Sequence, residues 1–389
     1  MVSCTIFQGL SNGVYHLPFG KWPEYVANRR AARNASIANR QPIYDYLGAE
    51  YCVIATVGTP GTKFKALLDT SSAISWVPSS LCGNKPKNCP NYCKGQYCEY
   101  LCEEDCCQGS DAIGCRNKTK FDTKKSSTYS ASYGDFIHYT TIGMVEGKYG
   151  NDIWSIGTHN QSSLTLSKYR FGLVTHLGET YQHHALDGVF GLGRSQNPKS
   201  FIVQAIEENL LDEPFVSLYL KDEGYSQNGK VAGSVTFGGV DNDNCGVILD
   251  FVPLTSNTKW EFRLNGVDLN GHKANGGVAL SDTGSAYIHG PYFSIYLFAQ
   301  DIGARYEYLN DRYIIACDKQ FKFSLDIGRH TYTINSTLLI KEISPNKCEL
   351  MVRENDSWDE YSWILGVPFA NAYCQIYDYT GKVGFALIH

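Results

Sequence analysis

Three features that would place the protein in other functional classes are missing from its 389 residues. No apolar run approaches the length of a membrane-spanning helix, so we expect no membrane anchor. The formal net charge is −5, with 34 Lys and Arg against 39 Asp and Glu, so we expect no nucleic acid partner. Residues 1–20 lack the sustained apolar core of a signal peptide, so we expect the natural start to lie upstream or to have been trimmed.

The motifs of several common active sites are also absent. The segment from Gly58 to Lys63 contains glycine and lysine, but it lacks the spacing of a phosphate-binding loop. No Ser-His-Asp or Cys-His arrangement is recognisable in the sequence. The pair His183 and His184 has no spaced carboxylate or cysteine partner. We therefore expect an active site, if there is one, that needs neither a metal nor a cofactor.

Cysteine, in contrast, is abundant and unevenly distributed. Eight of the 14 cysteines lie between Cys82 and Cys115. This segment contains no histidine and no paired Cys-x-x-Cys spacing, and two of its cysteines are adjacent, which disfavours a zinc site. We predict a disulfide-rich insertion at residues 82–115, and an oxidising compartment for the protein.

The sequence also contains five Asn-x-Ser/Thr sequons. They begin at Asn34, Asn117, Asn160, Asn335 and Asn355. Because the motif is short, a single sequon is weak support for glycosylation. Together with the cysteines, the five predict a glycoprotein that is secreted or reaches a lysosomal or gut lumen.

Short β-rich runs, separated by Gly, Asn and Asp, dominate the sequence. Strands are predicted at residues 52–57, 231–237, 313–316 and 331–334. Helical periodicity is confined to few segments, chiefly 200–211 and 292–303. This pattern predicts an all-β protein with minor helices.

Two similar aspartate-containing runs lie in opposite halves of the chain, at Leu68-Asp69-Thr70-Ser71-Ser72 and Leu280-Ser281-Asp282-Thr283-Gly284-Ser285. Each follows a strand-like apolar segment, which predicts a turn at the end of a strand. One such tripeptide alone would indicate only a turn, but two with matching flanks predict two similar lobes that face each other. The join between the lobes is expected near residues 238–246.

Two facing turns would bring the carboxyl groups of Asp69 and Asp282 into one cleft. Like charges that close cannot both ionise cheaply, so the pair would share one proton. One carboxylate can then act as a base on water while the other carboxyl group donates to a carbonyl oxygen. This is chemistry suited to hydrolysis of peptide bonds in acid.

The flanking motifs identify a family that fits this chemistry. In chain order they are Val57-Gly58-Thr59-Pro60, Trp76-Val77-Pro78, Ser126-Ser127-Thr128-Tyr129, Asp187-Gly188-Val189-Phe190-Gly191-Leu192-Gly193, His289-Gly290-Pro291, Trp363-Ile364-Leu365-Gly366 and Val383-Gly384-Phe385-Ala386. Over residues 49–389 the chain resembles the pepsin-like aspartic endopeptidases, and in detail it is most similar to secreted or gut members from nematodes.

The resemblance implies a two-lobed β fold with an N-terminal lobe at 49–238 and a C-terminal lobe at 239–389. It implies a propeptide-like segment at 1–48, and the alternative for the basic stretch at 21–40 is a solvated tail. The implied partners are an extended peptide or protein substrate in the cleft between the lobes and the chain's own propeptide, and we expect a monomer. The implied disulfides are Cys82–Cys115, Cys317–Cys348 and, less firmly, Cys245–Cys374.

The resemblance also assigns roles to the residues around the two aspartates. Asp69 and Asp282 would be catalytic and hold the attacking water between them. The hydroxyl groups of Thr70 and Thr283 would cross-link the two turns. Those of Ser72 and Ser285 would each bond the outer oxygen of the nearer carboxylate, and Gly284 would leave room for the backbone beside the pair.

The chain departs from the family pattern at Ser71, where the family uses glycine, and in the flap. Counted without gaps, the family's flap tyrosine falls at Thr140, and the next positions read Thr141-Ile142-Gly143, which should stiffen the flap. Tyr139 lies one place earlier and therefore faces the opposite side of a strand. These departures leave an alternative open, in which the protein is a catalytically weak or inactive homologue that acts as a secreted peptide-binding protein or antigen.

Overall fold

β-strands form most of the chain, as the sequence predicts. The computed structural model describes residues 39–46, 49–83, 90–94, 101–102, 113–140, 142–157, 163–224, 229–355 and 362–389. Strands are numbered β1 to β24 and α-helices α1 to α3 along these residues. No helix among them is both long enough and apolar enough to cross a lipid bilayer.

The largest sheet has 13 strands. They are β1 (Asn39–Tyr46), β2 (Glu50–Val57), β3 (Thr62–Asp69), β4 (Trp76–Pro78), β5 (Ser130–Tyr139), β6 (Met144–Ile156), β7 (Leu164–Leu177), β8 (Gly188–Gly191), β9 (Phe215–Leu220), β10 (Lys230–Phe237), β11 (Cys245–Pro253), β23 (Cys374–Asp378) and β24 (Lys382–Ile388). Their order is β11-β24-β23-β9-β10-β1-β2-β3-β8-β4-β7-β6-β5, so strands from both halves of the chain share one sheet.

Two smaller sheets come from the second half of the chain. The seven-stranded sheet contains β12 (Glu261–Leu269), β13 (His272–Ser281), β14 (Ile288–Gly290), β17 (Lys322–Ile327), β18 (His330–Asn335), β21 (Val352–Glu354) and β22 (Trp363–Leu365). The four-stranded sheet contains β15 (Arg305–Glu307), β16 (Arg312–Ile315), β19 (Ile340–Ser344) and β20 (Lys347–Leu350).

The helices are short. The α-helices are α1 (Phe201–Glu207), α2 (Tyr292–Asp301) and α3 (Val367–Ala372). The 3-10 helices span Asn91–Lys94, Ile113–Cys115, Glu179–His183, Tyr308–Asn310 and Ser336–Leu338. Both predicted helical segments contain a helix. Helix α1 ends at Glu207, before the end of the predicted segment 200–211, because the backbone turns after Glu208.

One arrangement of strands occurs twice. In the first half, β3 runs parallel to β8, β8 pairs antiparallel with β4, and β4 runs parallel to β7. In the second half, β13 runs parallel to β22, β22 pairs antiparallel with β14, and β14 runs parallel to β21. Asp69 ends β3 and Asp282 follows β13, so the repeated arrangement presents the two aspartates in equivalent places.

Strand β1 lies inside the segment that the resemblance assigns to a propeptide. It pairs with β2 on one side and with β10 on the other, so it is an internal strand of the large sheet. Its backbone hydrogen bonds therefore contribute to the same sheet that carries Asp69.

The structure contains four disulfide bonds among the described residues. Cys82–Cys115, Cys245–Cys374 and Cys317–Cys348 are the three pairs that the resemblance implies. A fourth bond, Cys93–Cys102, lies within the predicted insertion. Cys52 is a buried free thiol.

Candidate active site

Asp69 and Asp282 both lie in buried turns, and each side chain is only 3% exposed. The backbone of each turn is anchored to the neighbouring parallel strand. Leu192 N donates to Asp69 O at 2.7 Å, and Asp282 N donates to Leu365 O at 3.0 Å. The aspartates are therefore fixed by sheet hydrogen bonds and not by a mobile loop.

Two threonines bind the turns to each other through four crossed hydrogen bonds. Thr70 N donates to Thr283 Oγ1 at 3.2 Å, and Thr283 N donates to Thr70 Oγ1 at 3.0 Å. The two hydroxyl groups then donate onward across the interface, from Thr70 to Ser281 O at 2.9 Å and from Thr283 to Leu68 O at 2.6 Å. All the donors and acceptors are buried and satisfied, so this network holds the two carboxyl groups in a fixed relation.

Two glycines make room for the aspartate turns. Gly191 pairs with Asp69, and Gly366 occupies the equivalent place beside the second turn. A methyl group on Gly191 would lie 2.6 Å from Ser72 O, and one on Gly366 would lie 2.4 Å from Ser285 O. Because both contacts are with backbone, a side chain at either position would displace the turn.

The Asp69 carboxylate accepts four hydrogen bonds from the two serines that follow it in the turn. Oδ1 accepts from Ser71 N at 2.8 Å, from Ser71 Oγ at 2.7 Å and from Ser72 N at 3.1 Å. Oδ2 accepts from Ser72 Oγ at 2.5 Å. Hydrogen bonds donated to a carboxylate favour its charged form, so this environment suits an ionised Asp69.

The Asp282 carboxyl group has a different environment. Burial, and then the charge of Asp69, raise the pKa of Asp282 well above its usual value, and the hydrogen bond from Gly284 N and the nearby Ser71 hydroxyl group only partly oppose this. The shared proton of the pair is therefore favoured on Asp282. A methyl group on Gly284 would lie 2.9 Å from Asp69 Cγ and 3.0 Å from Asp282 Oδ1, so both carboxyl groups surround one point.

Ser285 differs from the expectation that its hydroxyl bonds Asp282. Ser285 Oγ donates to Tyr287 O at 3.1 Å, because the chain turns back toward β14 and places that carbonyl group within reach. The equivalent Ser72 does bond its aspartate. The two serines therefore support the two turns in different ways.

The β5–β6 hairpin provides the flap residues. Tyr139 is 75% exposed and Thr140 points inward, as expected for adjacent strand residues. Thr140 and Gly143 exchange backbone hydrogen bonds at 3.1 and 3.2 Å that close the tip of the hairpin. Thr141 lies outside the described residues.

An aromatic side chain from another element lies below the flap. Thr140 Oγ1 is 2.7 Å from the hydroxyl group of Tyr181, which belongs to the 3-10 helix Glu179–His183. The Tyr181 ring meets Trp76 edge to face, with 5.7 Å between the ring centroids. The space beside Trp76 is therefore occupied, although position 140 is a threonine.

Sequence reasoning missed two histidines at the site. His138 Nε2 lies 3.0 Å from Ser72 Oγ, and His289 Nε2 lies 3.2 Å from Ser285 Oγ. Strand alternation could have found His138, since Phe136 and His138 share the inward face of β5. His289 lies in the His289-Gly290-Pro291 motif, which is typical of the family but does not by itself place the imidazole at the site.

A cavity of 1260 Å³ opens beside the pair and is lined from both halves of the chain. The first half contributes Ser71, His138, Tyr139 and Thr140. The second half contributes, among others, Asp282, His289, Tyr292, Tyr296, Tyr306, Tyr313 and Arg353. Five of the six tyrosines that line the cavity come from the second half of the chain, so the wall on that side is rich in tyrosine.

The sequence profile of the eukaryotic aspartyl protease family matches residues 50–388. The chain belongs to the eukaryotic aspartyl protease family. The protein is accordingly an aspartic endopeptidase, which acts on peptide substrates in its cleft. The prediction of family, fold class and reaction type from the sequence is confirmed.

Similar eukaryotic aspartyl proteases cover almost the whole chain. Aspartic protease 2 of Necator americanus is 29% identical, over 100% of this chain and 99% of its own length. Aspartic protease 17 of Caenorhabditis elegans is 31% identical, over 95% of this chain and 90% of its own length. Cathepsin D of Dictyostelium discoideum is 27% identical, over 94% and 89% respectively.

Three of the five predicted sequons lie in described parts of this aspartyl protease. Asn117 and Asn335 are exposed, and Asn355 is partly buried beside the cavity. Asn34 and Asn160 lie outside the described residues.

Within the described ranges, no group of three or more His, Cys, Asp or Glu residues is arranged to hold a metal ion.

Proposed function

We propose that Asp69 and Asp282 carry out peptide hydrolysis as a pair that shares one proton. The observation that carries this proposal is the crossed threonine network, which fixes two buried carboxyl groups around one point. The four hydrogen bonds on Asp69 favour its ionised form, and the raised pKa of Asp282 favours its protonated form. The pair is therefore divided into a base and an acid before substrate binds.

In the proposed reaction, ionised Asp69 takes a proton from a water molecule held between the two carboxyl groups. The resulting oxygen attacks the carbonyl carbon of the peptide bond, while protonated Asp282 donates its proton to the carbonyl oxygen. The tetrahedral intermediate then collapses: Asp282 takes a proton from one of its two hydroxyl groups, the C–N bond breaks, and the departing amine takes a proton from Asp69. The pair returns to its starting state without a cofactor.

The substrate we propose is an extended peptide of several residues. The β5–β6 hairpin lies on one side of the cavity, and extended chains form backbone hydrogen bonds with such strands. The inward residues of the hairpin and the tyrosine-rich wall opposite would then contact alternate side chains of the substrate. The protein is proposed to act as a monomer, because both carboxyl groups come from one chain.

Residues 1–48 are proposed to include a propeptide. The basic residues that precede β1, namely Lys21, Arg29, Arg30 and Arg33, would bind an acidic cleft near neutral pH, whereas Arg40 lies in β1 and pairs with Asp241 and Asp243. Protonation of cleft carboxylates in acid would weaken this attraction and release the segment.

We further propose secretion, or delivery to a lysosomal or gut lumen, with glycans on the sequons. A mobility shift after treatment with a glycosidase tests the glycans.

The proposed catalytic roles are tested by assaying cleavage of denatured haemoglobin from pH 3 to 7, with and without pepstatin. Wild-type protein should show activity in acid that pepstatin abolishes. Asp69→Asn and Asp282→Asn should each remove activity while the circular dichroism spectrum stays unchanged. A folded Asp282→Asn variant that cleaves at the wild-type rate would exclude the proposed pair, and wild-type protein that binds pepstatin but cleaves nothing would favour the inactive alternative.

A further inference from the structure

His138 is joined to the proposed catalytic base through one serine. The imidazole Nε2 lies 3.0 Å from Ser72 Oγ, and Ser72 Oγ lies 2.5 Å from Asp69 Oδ2. Ser72 is 1% exposed, so water does not compete for its hydroxyl group. Two consecutive hydrogen bonds therefore connect the β5–β6 hairpin to the Asp69 carboxylate.

The direction of these hydrogen bonds follows from the number of protons. A serine hydroxyl group has one hydrogen, and an ionised carboxylate can only accept. Ser72 must therefore donate to Asp69, as its 2.5 Å contact indicates, and accept from His138. This requires a hydrogen on His138 Nε2, which is present in the Nε2–H neutral tautomer and in the imidazolium form.

The second histidine of the site does not form an equivalent connection. His289 Nε2 lies 3.2 Å from Ser285 Oγ, but Ser285 donates to Tyr287 O and not to Asp282. His138 is thus linked to the carboxyl group proposed as the base, whereas His289 is linked to a backbone carbonyl group. This difference matches the unequal division of the shared proton.

We propose that His138 is a positioning residue for the catalytic pair, which holds the Ser72 hydroxyl group on Asp69 and couples closure of the hairpin to the orientation of the base. The proposal rests on the proposed roles of Asp69 and Asp282. Donation from His138 removes the freedom of Ser72 to turn toward other acceptors. It also makes Ser72 a better donor, because hydrogen bonds in a chain polarise one another.

The charged surroundings of His138 keep this connection intact across the working range. Burial lowers the pKa of His138, and the negative charge of Asp69 on the first aspartate turn opposes that change. On β6, the residue paired with His138 is the apolar Val145. Asp282 and His289 line the same cavity from the second half of the chain. Since both protonated and neutral His138 can donate from Nε2, acid adds a positive charge without breaking the contact.

The test compares three substitutions on the full chain with a fluorogenic peptide. His138→Phe keeps a ring but cannot donate, His138→Gln keeps a donor but does not titrate, and Ile137→Ala changes an exposed neighbour on the same strand as a matched control. His138→Phe should lower kcat about three- to tenfold with KM nearly unchanged. It should also move the acid limb of the pH profile upward by about half a unit to one unit.

His138→Gln should restore most of kcat, and Ile137→Ala should match wild type. The effect of His138→Phe should disappear in a Ser72→Ala background, because the two residues act through one chain of hydrogen bonds. A His138→Phe pH profile that coincides with the wild-type profile overturns the proposal. The proposal is also overturned if His138→Phe lowers kcat by the same factor in the Ser72→Ala background as in the wild-type background.

A second measurement does not depend on activity. Nitrogen-15 NMR of histidine-labelled full-length protein at pH 7.5, with the His138 signal identified from the His138→Gln variant, reports the tautomer. The Nε2–H tautomer is expected, with a weaker preference in Ser72→Ala, and a dominant Nδ1–H tautomer contradicts the proposal. Wild-type protein that cleaves no peptide defeats the proposed catalytic roles, and the tautomer then still decides whether the His138 contact exists.

Discussion

Ser71 and Gly284 occupy equivalent positions in the two turns, but only one of them carries a side chain. At position 284 even a methyl group would approach Asp69 Cγ to 2.9 Å. At position 71 the hydroxyl group is accommodated and donates to Asp69 Oδ1 at 2.7 Å. The serine therefore adds a hydrogen bond to the pair where the family uses glycine.

The first prediction concerns the Ser71 hydroxyl group. It bonds Asp69 and also lowers the pKa of Asp282, so its removal should raise the pH at which the pair titrates. In Ser71→Gly the alkaline limb of kcat/KM should move upward by about half a unit. The pH dependence from 3 to 8 measures this, and a shift toward acid would contradict it.

Gly284→Ala, where the clash is with the carboxyl groups, should instead lose about a hundredfold in rate.

The second prediction concerns how the stability of the fold depends on pH, which follows from the raised pKa of Asp282. A raised pKa in the folded state means that the protonated form stabilises the fold, and this contribution is lost as pH rises through the folded pKa. Asp282→Asn has no such loss, because the amide stays neutral. Its Tm should therefore exceed that of wild type by more at pH 8 than at pH 4. Equal differences at both pH values, in thermal unfolding of the two proteins, would argue against a buried protonated Asp282.

The residues that sequence reasoning found at the site are those whose roles are local to a motif. The expected threonine cross-link is present because Thr70 and Thr283 directly follow the aspartates. The partner of Ser285 and the presence of His138 were not predicted, because they depend on how a later turn and a distant hairpin fold back. No spacing in the sequence shows that the Tyr287 carbonyl group, and not Asp282, accepts from Ser285.

Among the elements, the β5–β6 hairpin has a tip that is tied to the first half of the chain. Thr140 Oγ1 contacts Tyr181 and also donates to Gly143 O at 3.0 Å. Tyr181 is fully buried, and burial raises the pKa of its hydroxyl group, so the group stays protonated and donates to Thr140. The expected stiffening of the flap thus has a physical basis in this contact.

The third prediction tests that contact with Thr140→Val, which keeps the shape but removes the hydroxyl group. The Tyr181 hydroxyl group would lose its partner, at a cost of about 1–3 kcal/mol in the closed hairpin. Weaker closure should lower kcat and raise KM together, with kcat/KM down about tenfold. Ile137→Val, on the exposed face of the same strand and outside the cavity lining, serves as the control. Unchanged kinetics in Thr140→Val would show that the tip contact does not govern closure.

The fourth prediction concerns the close approach between the second aspartate turn and α3. A methyl group at position 366 would lie 2.2 Å from Tyr287 O and 2.4 Å from Ser285 O. Gly366→Ala should therefore lower the free energy of unfolding by about 2–3 kcal/mol. In Gly266→Ala the nearest contact would be 3.5 Å, and the change should be small. Chemical denaturation compares the two, and similar stabilities would refute the steric explanation.

At the scale of the whole molecule, the large sheet joins sequence segments that no local pattern connects. Strand β23 pairs with β9, and β24 pairs with β11. Alternating residues predict that strands such as 231–237 exist, but they do not specify the partner, because any strand with a matching apolar face could pair there. The two aspartate runs, and not periodicity, supplied the expectation of two lobes, and the family resemblance supplied the disulfide pairs.

The fifth prediction concerns two of those disulfides. Cys245–Cys374 closes a sequence separation of 129 residues, and Cys317–Cys348 closes one of 31. A bond that closes a longer loop restricts the unfolded chain more, by about 1 kcal/mol for this pair of lengths. Replacing Cys245 and Cys374 with alanine should thus lower Tm more than replacing Cys317 and Cys348. The reverse order in thermal unfolding would show that local packing outweighs loop closure.

The crossed threonine bonds also have a consequence for biosynthesis. Thr70 and Thr283 are 213 residues apart, and the sheet behind the first of them is completed only by β24, which ends at Ile388. A ribosome synthesises the first turn long before the second, so the emerging chain has half a site for most of its translation. Until the last strands are released, this protease has no assembled means of cutting the polypeptides around it, including its own unfolded chain.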